Sequence, residues 1–427
     1  MVRDGYRFKL LLFLLLPGFG LFGQPTGSLK LLLPDRVFDG NAMHDNWSVL
    51  VDGERIRAAG PAASMPAPAG AERIELPGMT LMPGMIEGHS HILLHPYDET
   101  SWNDQVLVES QAERVARATV HLRKSLEAGF TTMRDLGSEG AGYADVGLKA
   151  AIGKGVIPGP SLLVAGPALV ATGSYGPKGF APHVEVPLGA HMADGHDGLI
   201  REVRRQIGGG ADLIKVYADY RWGPNGEAMP TFTLEELKLI VETANSSGRP
   251  VVAHAATAEG MRRAVLAGVA TIEHGDDGTP EVYQLMAESG VALCPTLAAV
   301  DAILQYRGWR KGGEPEPPRI ARKRKSFRQA LEAGVPIVAG GDVGVFSHGD
   351  NVRELELMAE YGMPVPAVLH TVTAGNAKLL GLADRGVVRE GALADLIAVA
   401  GNPLERISDL RKVRMVMKGG AIYHYEK

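Results

Sequence analysis

At 427 residues the chain exceeds what one compact core usually organises, so a large domain with a smaller one is the expected layout. A net charge of −5 gives no electrostatic ground for binding nucleic acid, and 45% hydrophobic with 22% charged residues is ordinary globular composition. The single cysteine, Cys294, excludes an intramolecular disulfide and any cysteine-based metal cluster, so a bound metal would have nitrogen and oxygen ligands.

The N-terminus differs in kind from the rest. Arg3, Arg7 and Lys9 precede an apolar run from Leu10 to Leu16, and Pro17 to Gln24 is rich in glycine. A basic segment, a short apolar segment and a small-residue exit predict a signal peptide over residues 1–23. The run is too short to span a bilayer. The mature protein is therefore expected to be secreted or periplasmic, with no membrane attachment after cleavage.

Residues 24–84 read as short strands joined by turns, with Asp52-Gly53 as a hairpin signal between Trp47–Val51 and the strand that follows. From His89 onward, short apolar runs alternate with helical spacing. Apolar runs end at His89, Asp135, Gly166, Tyr217, His254, His274, Pro295 and Asp342. Between them lie helical stretches such as Ser110–Ala128, Ile200–Ile207, Pro280–Ser289 and Arg319–Ala333. The helix over Thr233–Ser246 opens with a Thr-x-x-Glu capping box at Thr233 and Glu236. This recurrence predicts an α/β fold, a (β/α)8 TIM-like barrel over 85–379. Arg307–Pro318 reads as a loop, and the basic helix after it as a solvated face. Turn-bounded strands return over 380–427 and are expected to pair with 24–84, giving a small β-sandwich domain built from both chain ends.

His89 and His91 sit i, i+2 at the end of a strand, so both imidazoles point to one side. Two converging neutral imidazoles make half of a divalent metal site. Lys215, His254, His274 and Asp342 occupy the corresponding ends of four other apolar strands. Any one of these alone is explained by a hydrogen-bonded core residue. Six together at the catalytic end of a barrel are a candidate metal centre, because burying them unpartnered would be costly. Lys215 shares its strand face with Leu213 and Tyr217, pointing into the barrel. An ammonium beside histidines and a dication would be repelled. A lysine carboxylated on Nζ would instead be anionic and able to bridge two metals. The alternative is an ion pair with Asp212 or Asp219.

The segments Pro83–His91, Ala128–Asp135, Ile214–Tyr217, Ala267–Gly275 and Gly340–Asp342 together resemble the amidohydrolase superfamily. Thr373–Leu382 and Gly391–Val399 extend the resemblance over nearly the whole chain after the leader. Within that superfamily the chain is most similar to binuclear, prolidase-like metallo-dipeptidases and ochratoxin-hydrolysing amidases. The resemblance implies two divalent metal ions, with zinc favoured. It assigns His89 and His91 to the buried metal, N6-carboxylated Lys215 to the bridge, and His254 with His274 to the second metal. It gives Asp342 contact with the first metal and a bridging hydroxide, as general base and then acid. Tyr217 falls where relatives place a residue near the substrate. Where relatives carry a Thr-Gly-Gly-His-Gly loop, this chain reads Thr172-Gly-Ser174-Tyr175-Gly, so Ser174, Tyr175 and the nearby His183 become the candidate substrate contacts.

The implied reaction is hydrolysis of a C–N amide bond in a small substrate, a dipeptide or an N-acyl amino acid, including ochratoxin-like amides. Relatives often assemble further, so a homo-oligomer is expected. One rival is a mononuclear deaminase or cyclic-amide hydrolase of the imidazolonepropionase type. Those sites place a glutamate three residues after the fifth-strand histidine, where this chain has Thr257. The other rival is a non-catalytic scaffold with a degenerate site. Metal content of two, one or none per chain separates the three.

Overall fold

The structure is a computed structural model that describes residues 29–181 and 183–426. The leader expected over 1–23 lies outside the described residues. Among those described, no helix is long and apolar enough to cross a membrane.

The β-rich part is one eight-stranded sheet along which both chain ends meet. Glu72–Pro83 is its seam. It pairs in parallel with Lys30–Phe38 (Leu32 opposite Ile74) and antiparallel with Leu396–Ala400 (Leu81 opposite Ala398). Val413–Lys418 and Ala421–Tyr425 extend the C-terminal side, while Trp47–Asp52 and Arg55–Pro61 extend the other. Alternating apolar residues from both sides, Leu32, Val49, Ile74, Leu81, Leu396 and Met415 among them, enclose a core separate from the barrel. The strands form one hydrogen-bonded sheet, with Met43–Asp45 branching from Lys30–Phe38.

Gly84 joins the seam strand directly to Met85–Ser90, the first strand of the TIM-like part. The next parallel strands are Phe130–Asp135, Ser161–Val164, Ile214–Tyr217, Val251–Thr257, Thr271–Asp277 and Ala292–Cys294. Helices follow on the outside, including Gln111–Glu127, Leu234–Asn245, Ala258–Ala267 and Pro280–Ser289. The capping box at Thr233 and Glu236 is formed at the helix start. Ile240, Ala253, Ile272, Leu293 and Phe327 belong to the large apolar core shared by strands and helices.

The eighth segment departs from expectation. Ile337–Asp342 forms no regular strand, only isolated bridges from Ile337 to Leu293 and from Val343 to Ser90. Backbone bonds Val338 N–H to Leu293 O, Gly88 N–H to Ala339 O and Asp342 N–H to His89 O attach it on both sides. The reason is the pair Gly340-Gly341 followed by Asp342 at φ +65, which breaks the pleat. Gly340 also presses on the first strand. A Cβ there would lie 2.5 Å from His89 N, 2.7 Å from Cys294 Sγ and 2.8 Å from Gly88 C. Asn376 ties the same two segments, donating to Ile86 O and Ala339 O, each at 2.8 Å.

The basic helix, Pro318–Glu332, is not simply a solvated face. Lys323 turns inward and is buried, donating to His274 O at 2.7 Å and pairing with Asp276. An antiparallel hairpin of Asp219–Arg221 with Ala228–Pro230 adds a wall beyond the fourth strand.

The Gly340 contact is with backbone atoms that cannot swing away. Gly340→Ala should lower unfolding free energy by about 3 kcal/mol, at the upper end of overpacking costs. Gly147→Ala, in an exposed turn of helix Ala144–Gly153 with open space around it, should raise it by about 0.5–1 kcal/mol. Urea denaturation of the two variants checks both signs.

Candidate active site

The first strand delivers His89 and His91 to one cavity, and the irregular eighth segment delivers Asp342 opposite them. His89 Nδ1 donates to Glu273 Oε2 at 2.8 Å, and His91 Nδ1 donates to Gly137 O at 2.9 Å. A backbone carbonyl and a carboxyl oxygen of the Arg134-paired Glu273 serve as acceptors, which fixes the ring tautomers and leaves each Nε2 with a lone pair. Those Nε2 atoms face Asp342 Oδ1 at 3.5 Å and 3.4 Å. Burial, reinforced by Lys215 and His91, keeps the His89 imidazole well below its usual pKa and so neutral. His89 Nε2 and Asp342 Oδ1 are both buried without a hydrogen-bond partner. Burial pushes the Asp342 carboxyl up from its usual range, and a cation or a shared proton between these atoms would satisfy them.

His274 completes that group. His89, His274 and Asp342 each bring one ligand atom within 4.8 Å of the others. The His274 ring lies 5.2 Å from His89 and 4.4 Å from His254, with Nδ1 hydrogen-bonded to Thr296 Oγ1 at 2.8 Å. Tyr217 stacks on His254 at 4.6 Å. Burial, with Lys215 adding to it, brings His254 down to about 3, and burial likewise depresses His274. These imidazoles stay neutral, the form that ligates metal.

Lys215 is 1% exposed and lines the same cavity, its Nζ 5.7 Å from the Tyr217 ring centre. Neither expected ion-pair partner reaches it. Asp212 binds Lys149 at 2.5 Å, and Asp219 accepts from Ala256 N at 2.9 Å and Thr257 N at 2.7 Å. Burial pulls the Lys215 pKa down, which favours the uncharged amine.

Around these groups opens a cavity of about 770 Å³ with Tyr97, Trp102, Tyr175, Tyr217 and Tyr220 on its walls. Tyr175 and Tyr217 therefore stand on the cavity wall. Ser174 does not line the cavity: its buried hydroxyl donates to Ala171 O at 2.8 Å, closing its own turn. His183 is exposed on the loop and also outside the cavity lining, so it does not take the place of the missing loop histidine.

Two carboxylates escaped sequence reasoning. Glu273 is fully buried, holds His89 and is held in turn by Arg134 at 3.0 Å. Its signal was an acid inside the apolar strand Thr271-Ile-Glu-His274. Glu139 lies in the glycine-rich turn after the second strand, where an acid looks like ordinary loop polarity. Of the five non-glycine residues with positive φ among the described residues, four line this cavity: Glu139, His274, Thr296 and Asp342. Backbone held in this sparsely populated region concentrates at functional sites.

Residues 80–423 match the model of the Amidohydrolase family. Ochratoxinase of Aspergillus niger is 31% identical over 376 residues, covering 80% of this chain and 75% of that protein. The crystal structure of a Xaa-Pro dipeptidase aligns with a TM-score of 0.83 at 31% identity, over 93% of this chain and 100% of the other. A prolidase complexed with N-methylphosphonate-L-proline aligns at 0.80 and 28%, over 93% of this chain and 100% of the other. Family model, fold and buried metal-type cluster agree, and the chain belongs to the amidohydrolase family, in its prolidase-like and ochratoxinase-like branch.

Proposed function

We propose that the protein is a binuclear metal-dependent amidohydrolase that cleaves the C–N amide bond of a dipeptide or N-acyl amino acid. The observation that carries this is the convergence of His89 Nε2 and His91 Nε2 on Asp342 Oδ1, at 3.5 and 3.4 Å, in a buried pocket. His89, His91 and Asp342 would hold one divalent ion, His254 and His274 a second, and Lys215, carboxylated on Nζ, would bridge them. Bound there, divalent ions supply a water ionised near neutral pH and polarisation of the scissile carbonyl. Asp342 holds the proton released in forming the nucleophile and returns it to the leaving nitrogen. The aromatic walls exclude water and orient the acyl and amine portions of the substrate.

Lys215 supports the two-metal form over a single-metal deaminase. It is buried beside three histidines with no carboxylate within ion-pair distance among the described residues, which suits a neutral amine ready to take up CO2. Thr257 favours the same choice. Where deaminases keep a glutamate, its hydroxyl accepts from Gly260 N–H at 3.0 Å and caps the following helix, leaving no acid at that position.

The direct test is hydrolysis of a panel of dipeptides and N-acyl amino acids by the purified, zinc-loaded protein, with metal counted per chain. Turnover with two zinc ions is expected, and Asp342→Asn should slow it by about two to four orders of magnitude. Lys215→Ala should lose activity together with bound metal, and short-chain carboxylates should restore part of both. An unaffected Lys215→Ala protein would remove the carboxylated bridge. Glu273→Gln should weaken metal binding about 10- to 100-fold, because its single amide oxygen cannot accept from both His89 and Arg134; titration against a competing chelator measures this.

A further inference from the structure

Glu139 stands apart from the metal-type cluster in what its carboxylate does. Its side chain is 3% exposed and lines the cavity. Oε2 accepts from Trp102 Nε1 at 2.9 Å and from Tyr175 Oη at 2.8 Å. Oε1 accepts no hydrogen bond from any described residue. The nearest basic nitrogen, His91 Nδ1, is 3.9 Å away and donates to Gly137 O instead. The adjacent cation is also committed elsewhere. Arg114 spends its guanidinium on the backbone carbonyls of Leu93, Ser138 and Glu139. Of the cavity's other cations, Arg319 lies 3.6 Å from Asp276, Arg322 lies 3.8 Å from Asp277, and Arg221 lies over the Tyr220 ring at 5.3 Å.

The carboxylate is thus oriented by neutral donors, with one oxygen left open beside aromatic faces. Tyr175 packs against Trp102 at 5.4 Å, Tyr217 at 4.5 Å and Tyr220 at 4.8 Å. An acid among aromatic rings is the chemistry that recognises an organic ammonium, through a charge-assisted hydrogen bond and ring faces. Glu139 also sits next to His91, a short reach from where an amide carbonyl would be attacked. A free α-ammonium lies one carbon beyond that carbonyl; in an N-acyl amino acid that carbon carries no ammonium, and in an N-acylated dipeptide it carries a neutral amide. We propose that Glu139 receives the free amino terminus of the substrate, so that this site selects unblocked dipeptides over N-acyl amino acids. The inference rests on the amide-hydrolase reading and chooses between its two substrate classes.

The test compares one dipeptide with its N-acetylated form, using wild type and Glu139→Gln, both zinc-loaded. The amide oxygen of glutamine still accepts from Trp102 and Tyr175, so the wall is kept. Wild type should favour the free dipeptide, and Glu139→Gln should reduce the ratio of the two kcat/KM values by about 10- to 100-fold. The wild-type KM for the free dipeptide should also rise above about pH 8, as the substrate amine loses its proton, and the variant should lose this rise. An unchanged ratio, or equal loss on both substrates accompanied by loss of zinc, would overturn the assignment and make Glu139 a support of the metal centre. Should neither peptide be hydrolysed, the amide-hydrolase reading fails. Calorimetric titration of the same two peptides then decides Glu139 separately: tighter binding of the free form that Glu139→Gln abolishes supports it, and equal binding overturns it.

Discussion

The site depends on one electrostatic constraint: an imidazole nitrogen and a carboxyl oxygen brought together, out of water, with no hydrogen-bond partner among the described residues. His89 Nε2 and Asp342 Oδ1 could each find relief by a small rotation. The surroundings prevent it. The His89 ring is fixed through Nδ1 by Glu273, Glu273 is fixed by Arg134, and Arg134 donates in turn to Gly88 O at 2.6 Å, on the strand that carries His89. The loop closes on itself, so moving His89 breaks a buried hydrogen bond to the Glu273 carboxyl, worth about 1.5–3 kcal/mol.

The same closure explains why strand one and the eighth segment must touch so tightly. Gly88 and Gly340 let the two backbones approach until a side chain on either would meet main-chain atoms. Asp342 then emerges at φ +65 with its amide bonded to His89 O, so the acid is registered against the histidine through the main chain. A regular strand would alternate its side chains across the sheet and carry Asp342 past the histidines. The irregularity is what aims it.

Much of this was legible from residue patterns. Apolar runs each ending in a polar residue marked the strand ends, and the i, i+2 histidines marked the first of them. The helices over Pro280–Ser289 and after Thr233 follow from their own capping chemistry. Other features hid because sequence shows a residue's type and not the partner that reaches it. Ser174 looked like a substrate contact, yet its hydroxyl closes a local turn. Lys323 looked like one more surface cation in a basic helix, yet it is buried under His274. Glu273 faces away from its neighbour His274 along the strand, and only the pairing of distant strands shows that it serves His89. The interrupted eighth strand reads as a strand because its apolar residues are right; its glycines decide otherwise.

Four left-handed corners at the cavity share one device, which gives a role to four of the buried ionisable residues the chemistry leaves unused. At Glu139, Arg114 grips the carbonyl of that residue and of Ser138. At His274, Lys323 takes the carbonyl oxygen. After Thr296, Glu354 accepts from Leu297 N at 3.0 Å and Ala298 N at 2.7 Å, capping the helix that begins there. Before Asp342, Glu87 accepts from Gly341 N at 2.8 Å. Each corner costs about 1–3 kcal/mol of backbone strain, and each is held by one buried ionisable side chain bonded to its main chain. Burial pushes the Glu87 carboxyl up to about 7 and that of Glu354 up to about 8, so these supports are themselves expensive to keep charged. A chain under no functional constraint would relax both the corner and its prop to ordinary backbone and apolar packing. Their retention at four points around one cavity, and at only one other non-glycine position among the described residues, ties the strain to the chemistry that the cavity performs.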